Sequence, residues 1–444
     1  MKKLDVFSPD FTDLFATSAA AGATYVGTSG NDDFLGTTHS DIFRLKQGGN
    51  DTASGRGGDD QFILGGALSE HDRLDGGNGS DRLILDGDYA GSHALVLQAN
   101  TLSSIETIRL ETGHSYDLDF SKGADAGTAL VVNGATLGIH DSLTIRAFGE
   151  LIGGAGDDHL VGSGGGTTFV LSNGGNDIAK GGSGNDTFIM GAAFNADDEI
   201  NGVYGHDHDT VILDGDYSSG VVFNKTTISL IETIQVAAGH DYSLTTAEGT
   251  VGFGHAMGDG PRTMTVDASQ LGAGNSLYFD GSAEHGGGFT FLTGAGHDTF
   301  ISGSAYDDDG GSGIVANDTF VYDMGVALSG ATRDTLGNVE FGNSDTSTRD
   351  VIKFAAVNAI DTHVMTGTLS AGTFDSDLQT AINSTNLAGH HAVLFTPDAG
   401  GLAGDLFLIV DGNGVAGYQA GEDLVVQLTD PLHIGSISAA SFEA

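Results

Sequence analysis

Between residues 26 and 325 large apolar side chains recur singly, two places after an aspartate and just ahead of a turn: Phe34, Phe43, Phe62, Leu83, Leu160 and Phe188. Three-residue apolar islands bounded by Gly, Asn and Asp predict very short strands, because no 3.6-residue period links one island to the next. Thr128–Val132 and the alternating Leu143-Thr144-Ile145 read the same way. From about Asp350 glycine thins out and longer apolar runs appear. There, Leu378, Ala381 and Ile382 at helical spacing predict one short helix over Asp375–Asn383, and Ala392–Phe395, Leu406–Val410 and Leu424–Leu428 predict strands. Gly, Asp or Asn interrupts every apolar run well short of the roughly 18 residues of a membrane-spanning helix.

The islands belong to a nonapeptide of form G-G-x-G-x-D-x-U-x, where U is the large apolar residue. Its best copies are Gly76 to Ile84 (GGNGSDRLI), Gly153 to Val161 (GGAGDDHLV) and Gly181 to Ile189 (GGSGNDTFI). Looser copies begin at Gly27, Gly55 and Thr293. A second, larger period of 126 residues relates Asp32 to Asp158, Asp60 to Asp186, Asp72 to Asp198 and His114 to His240. Two modules therefore repeat in tandem, each ending in a related stretch, Ile105-Glu106-Thr107-Ile108 in one and Ile231-Glu232-Thr233-Ile234 in the other. The expected organisation is an N-terminal segment (1–25), module 1 (26–152), module 2 (153–292), a partial module (293–349) and a C-terminal domain (350–444). The expected fold is all-β: parallel β-roll or β-solenoid modules with a small, mainly-β C-terminal domain.

Composition narrows the partners. The 444 residues carry 60 Asp plus Glu against 16 Lys plus Arg, a formal net charge of -44. Crowding that charge into a folded body is unfavourable without cations, which argues against nucleic acid and anionic membranes as partners. The chain has no Cys, which excludes disulfides, zinc–thiolate sites and cysteine nucleophiles. Met1, Lys2 and Lys3 could open a secretory signal, but Asp5, Pro9, Asp10 and Asp13 break the apolar run that would have to follow.

The nonapeptide supplies oxygen ligands. Glycines at positions one, two and four let the backbone turn sharply and expose carbonyls, and the sixth-position Asp adds a carboxylate. Successive coils would bring such groups together around a hard cation of six to eight oxygen ligands, which suits Ca²⁺ better than Mg²⁺. The candidate ligand positions are Gly27, Gly30, Asp32, Asp41, Asp51, Gly55, Gly58, Asp60, Asp72, Gly76, Gly79 and Asp81 in the first module. Gly153, Gly156, Asp158, Asp177, Gly181, Gly184, Asp186, Asp198 and Asp209 follow in the second, and Gly294, Gly296, Asp298 and Asp318 in the third. Several Ca²⁺ ions per chain are expected, with folding coupled to their binding. Thr167 stands where an acid belongs, and Ala53 and Ala179 replace the large apolar residue, so a weaker site and thinner packing are expected there.

These copies resemble the repeats-in-toxin family of calcium-binding proteins over about residues 26 to 325. The resemblance implies right-handed β-rolls and export of the unfolded chain through a one-step (type I) channel, directed by an uncleaved C-terminal signal. The last residues, Ile437 to Ala444, are similar to that pattern. The stretch from Phe407 through Asp411-Gly412-Asn413-Gly414 to Gly421-Glu422-Asp423 also resembles the C-terminal domain of secreted and surface-layer proteins of α-proteobacteria.

Other constellations weigh less. His39, His71, His206 and His297 fall at turn positions that tolerate His, leaving His206-x-His208 and His390-His391 as the pairs to test for metal. Asp411, Asn413 and Glu422 fit three places of an EF-hand loop, but Val415 and Ala416 occupy two others, and a hairpin turn explains them better. Asp307-Asp308-Asp309 is out of phase and reads as a solvated loop. Neither H-E-x-x-H nor G-x-S-x-G occurs, so no enzyme is expected. The sequence thus points to an extracellular or cell-surface structural protein, exported without a cleaved N-terminal signal, that self-associates. The alternative is a calcium-dependent adhesin or carbohydrate-binding module with a cell-surface polysaccharide as partner.

Overall fold

The computed structural model describes residues 22–122, 130–203, 207–247, 263–284, 287–303, 317–323, 330, 332–342 and 349–444. The chain forms two compact units, divided between Ser163 and Gly164. Both are parallel β-solenoids.

In the first unit one ladder runs Thr24–Val26, Ile42–Arg44, Gln61–Leu64, Arg82–Leu85, Thr107–Leu110, Val131–Asn133 and Glu150–Ile152. Strands from the intervening half-coils build the opposite wall. Asp33–Leu35, Thr52–Ser54, Arg73–Asp75 and Leu102–Ser103 form one parallel sheet. Leu95–Val96, Tyr116–Asp119, Leu143–Ala147 and Asp158–Gly162 form another. The second unit repeats the plan from Thr168–Leu171 through Thr187–Met190, Thr210–Leu213 and Thr233–Val236.

A three-residue strand cannot hold a core alone; registration of like residues does so here. The U positions stack on one another, Tyr25 on Phe43 on Phe62 on Leu83 on Ile108, with the last four fully buried. The rings of Phe43 and Phe62 lie parallel at 4.8 Å, and those of Phe169 and Phe188 at 4.7 Å. These separations match the spacing of neighbouring strands, so each coil stacks one ring on the next. Ala53 and Ala179 are buried in the opposite walls, in register with Phe34 and Leu74 and with Ile200 respectively.

Where each module leaves the nonapeptide pattern, tyrosines take over the corner. The Tyr89 hydroxyl donates to the Gly65 carbonyl, and that of Tyr116 to Leu85. Tyr217 and Tyr242 repeat the arrangement on Gly191 and Leu213 in the second unit.

The predicted helix forms over Phe374–Ala381, with Asp375 and Asp377 in its first turn. Phe374 and Leu378 face an apolar cluster with Val393, Phe395, Phe407, Ile409 and Val425. Leu406–Val410 pairs antiparallel with His391–Phe395 on one side and with Leu424–Thr429 on the other. Leu424–Thr429 then pairs in parallel with Asp334–Gly337, and Phe442–Glu443 with Val351–Lys353, so the C-terminal strands continue the second unit's walls.

Candidate functional site: a ladder of buried acids

The acid of each D-x-U tripeptide sits at the start of a strand, where its carboxylate faces the preceding coil. Asp32 donates its main-chain N–H to Asp51 Oδ1 (3.0 Å), Asp41 to Asp60 (2.6 Å), Asp51 to Asp72 (2.7 Å) and Asp60 to Asp81 (2.7 Å). In the second unit Asp177 donates to Asp198 (2.8 Å), Asp186 to Asp209 (2.8 Å), Asp298 to Asp334 (2.9 Å) and Asp318 to Asp350 (2.8 Å). One oxygen of each accepting carboxylate is thus a staple between coils. Thr167 keeps the donor half of this arrangement, giving its N–H to Asp186 Oδ1.

The ladder extends past the positions that the glycine motif identifies. Glu106 and Glu232 accept the N–H of Asp81 (2.7 Å) and Asp209 (2.8 Å), and Asp334 and Asp350 continue the rows above Asp298 and Asp318. What these share with the motif is an acid two residues before a buried apolar one: Glu106 before Ile108, Glu232 before Ile234, Asp334 before Leu336 and Asp350 before Ile352.

The second carboxylate oxygen divides the turns. Asp32 Oδ2 accepts the N–H of Thr28 (2.6 Å), Asp41 Oδ2 that of Thr37 (2.6 Å) and Asp72 Oδ2 that of Ser69 (2.7 Å). Gly154 closes on Asp158, Asn195 on Asp198 and, at 3.4 Å, Gly294 on Asp298 in the same manner. At Asp60, Asp81, Asp186 and Asp209, Oδ2 is buried with no hydrogen-bond partner. Near the start of these four turns Arg56, Gly77, Gly182 and Val203 have positive φ, of 74°, 95°, 153° and 68°. None of the closing residues Thr28, Thr37, Ser69, Gly154, Asn195 and Gly294 has a positive φ.

Each orphaned oxygen lies over a glycine. A Cβ on Gly55 would stand 1.9 Å from Asp60 Oδ2 and 2.5 Å from the Gly76 carbonyl of the next coil. On Gly76 it would meet the Ser104 carbonyl at 2.0 Å and Asp81 Oδ2 at 2.4 Å. Gly181 and Gly202 hold the same relation to Asp186 and Asp209. Carboxylate and carbonyl oxygens therefore converge where only glycine leaves room. Gly181→Ala is expected to cost about 1–3 kcal/mol by overpacking this spot. Gly274→Ala, where a Cβ meets nothing within 4 Å, should be near neutral, and urea titration of the two variants measures the difference.

Burial governs the electrostatics. It pushes Asp60 and Asp186 up to about 6 and Asp209 up to about 7, despite the N–H groups that favour their charged forms. Asp81 is raised by the same cause, with the charge of Glu106 adding to it. Among the described residues no three His, Asp or Glu side chains converge as a ready metal cluster. A cation at these turns would therefore draw on main-chain carbonyls as well as Asp. The donor set is oxygen alone, which fits a hard ion such as Ca²⁺.

The remaining candidates resolve into local structure. The Asp411 carboxylate accepts the N–H groups of His390, Asn413 and Gly414, while Asp423 rather than Glu422 closes the loop onto Gly412 and Gln419. That is a hydrogen-bonded hairpin turn between antiparallel strands. His391 Nδ1 lies 2.9 Å from Asp361 Oδ1. His206 and Asp307–Asp309 lie outside the described residues.

Fold and site together define a parallel β-solenoid stapled by buried acids. No family model, curated protein or solved structure matches the chain.

Proposed function

We propose that this is a secreted calcium-binding structural protein whose coils fold on Ca²⁺ and which assembles at the cell surface or in an extracellular matrix. The observation that carries the reading is the set of buried, unpartnered Asp oxygens lying over glycine turns. A buried polar atom without a partner costs about 1–3 kcal/mol, and more when charged, so a cation there would repay a deficit built into the fold. The excess of acids over bases supports the same reading, since bound cations would offset the self-repulsion.

Self-association has its own support. Among the described residues, the first strands of the first unit, Thr24–Val26 and Asp33–Leu35, each pair on one side, and Val26 and Leu35 are exposed. Edges of this kind accept further strands. Aromatic side chains are mostly spent on the interior stacks, with Tyr278 the one aromatic among the exposed large hydrophobic residues described. That favours the structural reading over polysaccharide capture.

The test is circular dichroism and small-angle scattering in CaCl₂ and in excess EDTA. In roughly millimolar Ca²⁺, the range of extracellular modules, the protein should be compact and β-rich, and chelation should expand it. A spectrum indifferent to the chelator would rule the reading out. Electron microscopy of the calcium form should then show sheets or filaments; dispersed monomers would remove the assembly half of the proposal.

A further inference from the structure

The division between turns that close on their own aspartate and turns that do not has a consequence for where ions load. It rests on the calcium reading above and goes beyond it, because the sequence motif alone treats every turn that carries the acid as equivalent.

In the first unit the open turns are consecutive in one row. The turn ending at Asp60 stacks on the turn ending at Asp81, with Gly58 donating its N–H to the Asn78 carbonyl and Asn78 donating to Arg56. The row continues into Glu106, whose Oε2 takes the Asp81 N–H. Before the pair stands Asp41, whose two oxygens are both occupied, by Ala23 N–H and Thr37 N–H. The second unit has the same order: Thr167, then Asp186 and Asp209 with orphaned oxygens, then Glu232. Asp60, Asp81, Asp186 and Asp209 are each at most 1% exposed, so bulk solvent does not reach the leftover oxygens. Asp334, whose Oδ2 is also buried, lies against the Tyr322 hydroxyl.

A closed turn has no such capacity. To bind a cation at Asp32, Asp41 or Asp72, the carboxylate would have to give up the N–H of Thr28, Thr37 or Ser69, leaving a donor unpaired. The open turns already bear the backbone cost of opening. Arg56 and Val203 sit at positive φ without being glycine, a conformation that costs about 1 kcal/mol or more and is least tolerated by a β-branched residue.

We propose that Ca²⁺ loads at the stacked pair of turns of Asp60 and Asp81 in the first unit, and that the turns of Asp32, Asp41 and Asp72 are self-closed supports that take no ion of their own. Hydrogen bonds within the chain do there what the cation does in the open pair.

The test is calcium binding by the full chain, followed by isothermal titration with CaCl₂, in Asp81→Asn and Asp41→Asn, neighbours in one row. Asn keeps the Oδ1 acceptor, so the staple to the preceding coil survives in both. Asp81→Asn should lose bound Ca²⁺ or weaken it tenfold or more, and Asp41→Asn should retain the wild-type stoichiometry with less than a twofold change in affinity. A double variant, with Asn at 60 and 81, should lose at least one bound Ca²⁺ per chain. A triple variant, with Asn at 32, 41 and 72, should keep it while melting at a lower temperature. Should a multiple variant fail to fold, the single pair still decides. Equal losses in Asp41→Asn and Asp81→Asn would overturn the division while leaving calcium binding intact. A wild-type chain that takes up no Ca²⁺ would overturn the functional reading itself.

Discussion

Phe188→Ala is expected to lower the stability of the second unit by about 3–5 kcal/mol in saturating CaCl₂. Phe188 is fully buried, stacked at 4.7 Å on Phe169 and in register with Val211 on its other side. Removing the ring takes away contact with both neighbouring coils at once, and a solenoid offers no other part of the core to collapse into the gap, because each coil touches only the next. Thr187→Ala, one residue earlier and facing outward, should change stability by less than about 0.5 kcal/mol. Urea titration of the two variants beside the wild type measures the difference. A loss below about 1 kcal/mol for Phe188→Ala would mean that the ring stack is not what holds consecutive coils together.

The same stack shows how much of the fold the sequence carries. The nine-residue period places Phe43, Phe62, Leu83 and Phe188 inside and the sixth-position acids at strand starts, and the structure has both. These features are local, since a glycine turn and a D-x-U tripeptide decide them within nine residues. The pairing of Leu424–Thr429 with Asp334–Gly337 has no such local cause. It joins segments about ninety residues apart, and each reads as an ordinary strand on its own.

The site was legible in part. Keying on glycine finds Asp60, Asp81 and Asp186 but passes over Glu106, Glu232, Asp334 and Asp350, because the ladder depends on an acid two places before a buried residue and not on the turn that precedes it. A search for acid-x-apolar tripeptides in phase would have found all four. The distinction between Asp41 and Asp60 was out of reach for another reason. It turns on the φ of the residue four places earlier, Thr37 or Arg56, and neither side chain announces it: arginine at positive φ is the less expected of the two.

Burial of those acids predicts a pH dependence whose sign calcium should reverse. Burial pushes Asp60, Asp186 and Asp298 up to about 6, and Asp158, Asp209 and Asp350 up to about 7, from an ordinary value of 3.8. Between the ordinary and raised values the folded chain holds protons that the unfolded chain has released, so its stability falls as pH rises. This contribution is complete below about pH 4 and is lost as pH climbs through about 6 to 7. Asp86 and Asp141 shift the other way, held down by the Lys46 ammonium and by the N–H groups of Gly113 and Gly138 respectively. Their share is lost only as pH falls below about 4, outside that window. In EDTA the residual folded fraction should therefore be larger at about pH 5.5 than at about pH 8, protons standing in for the missing cation. In CaCl₂ the order should invert, because the ion binds the ionised carboxylates and acid displaces it. Circular dichroism at both pH values, with and without chelator, gives four folded fractions. Parallel pH slopes in the two media would show that the buried aspartates are not where protons and calcium compete.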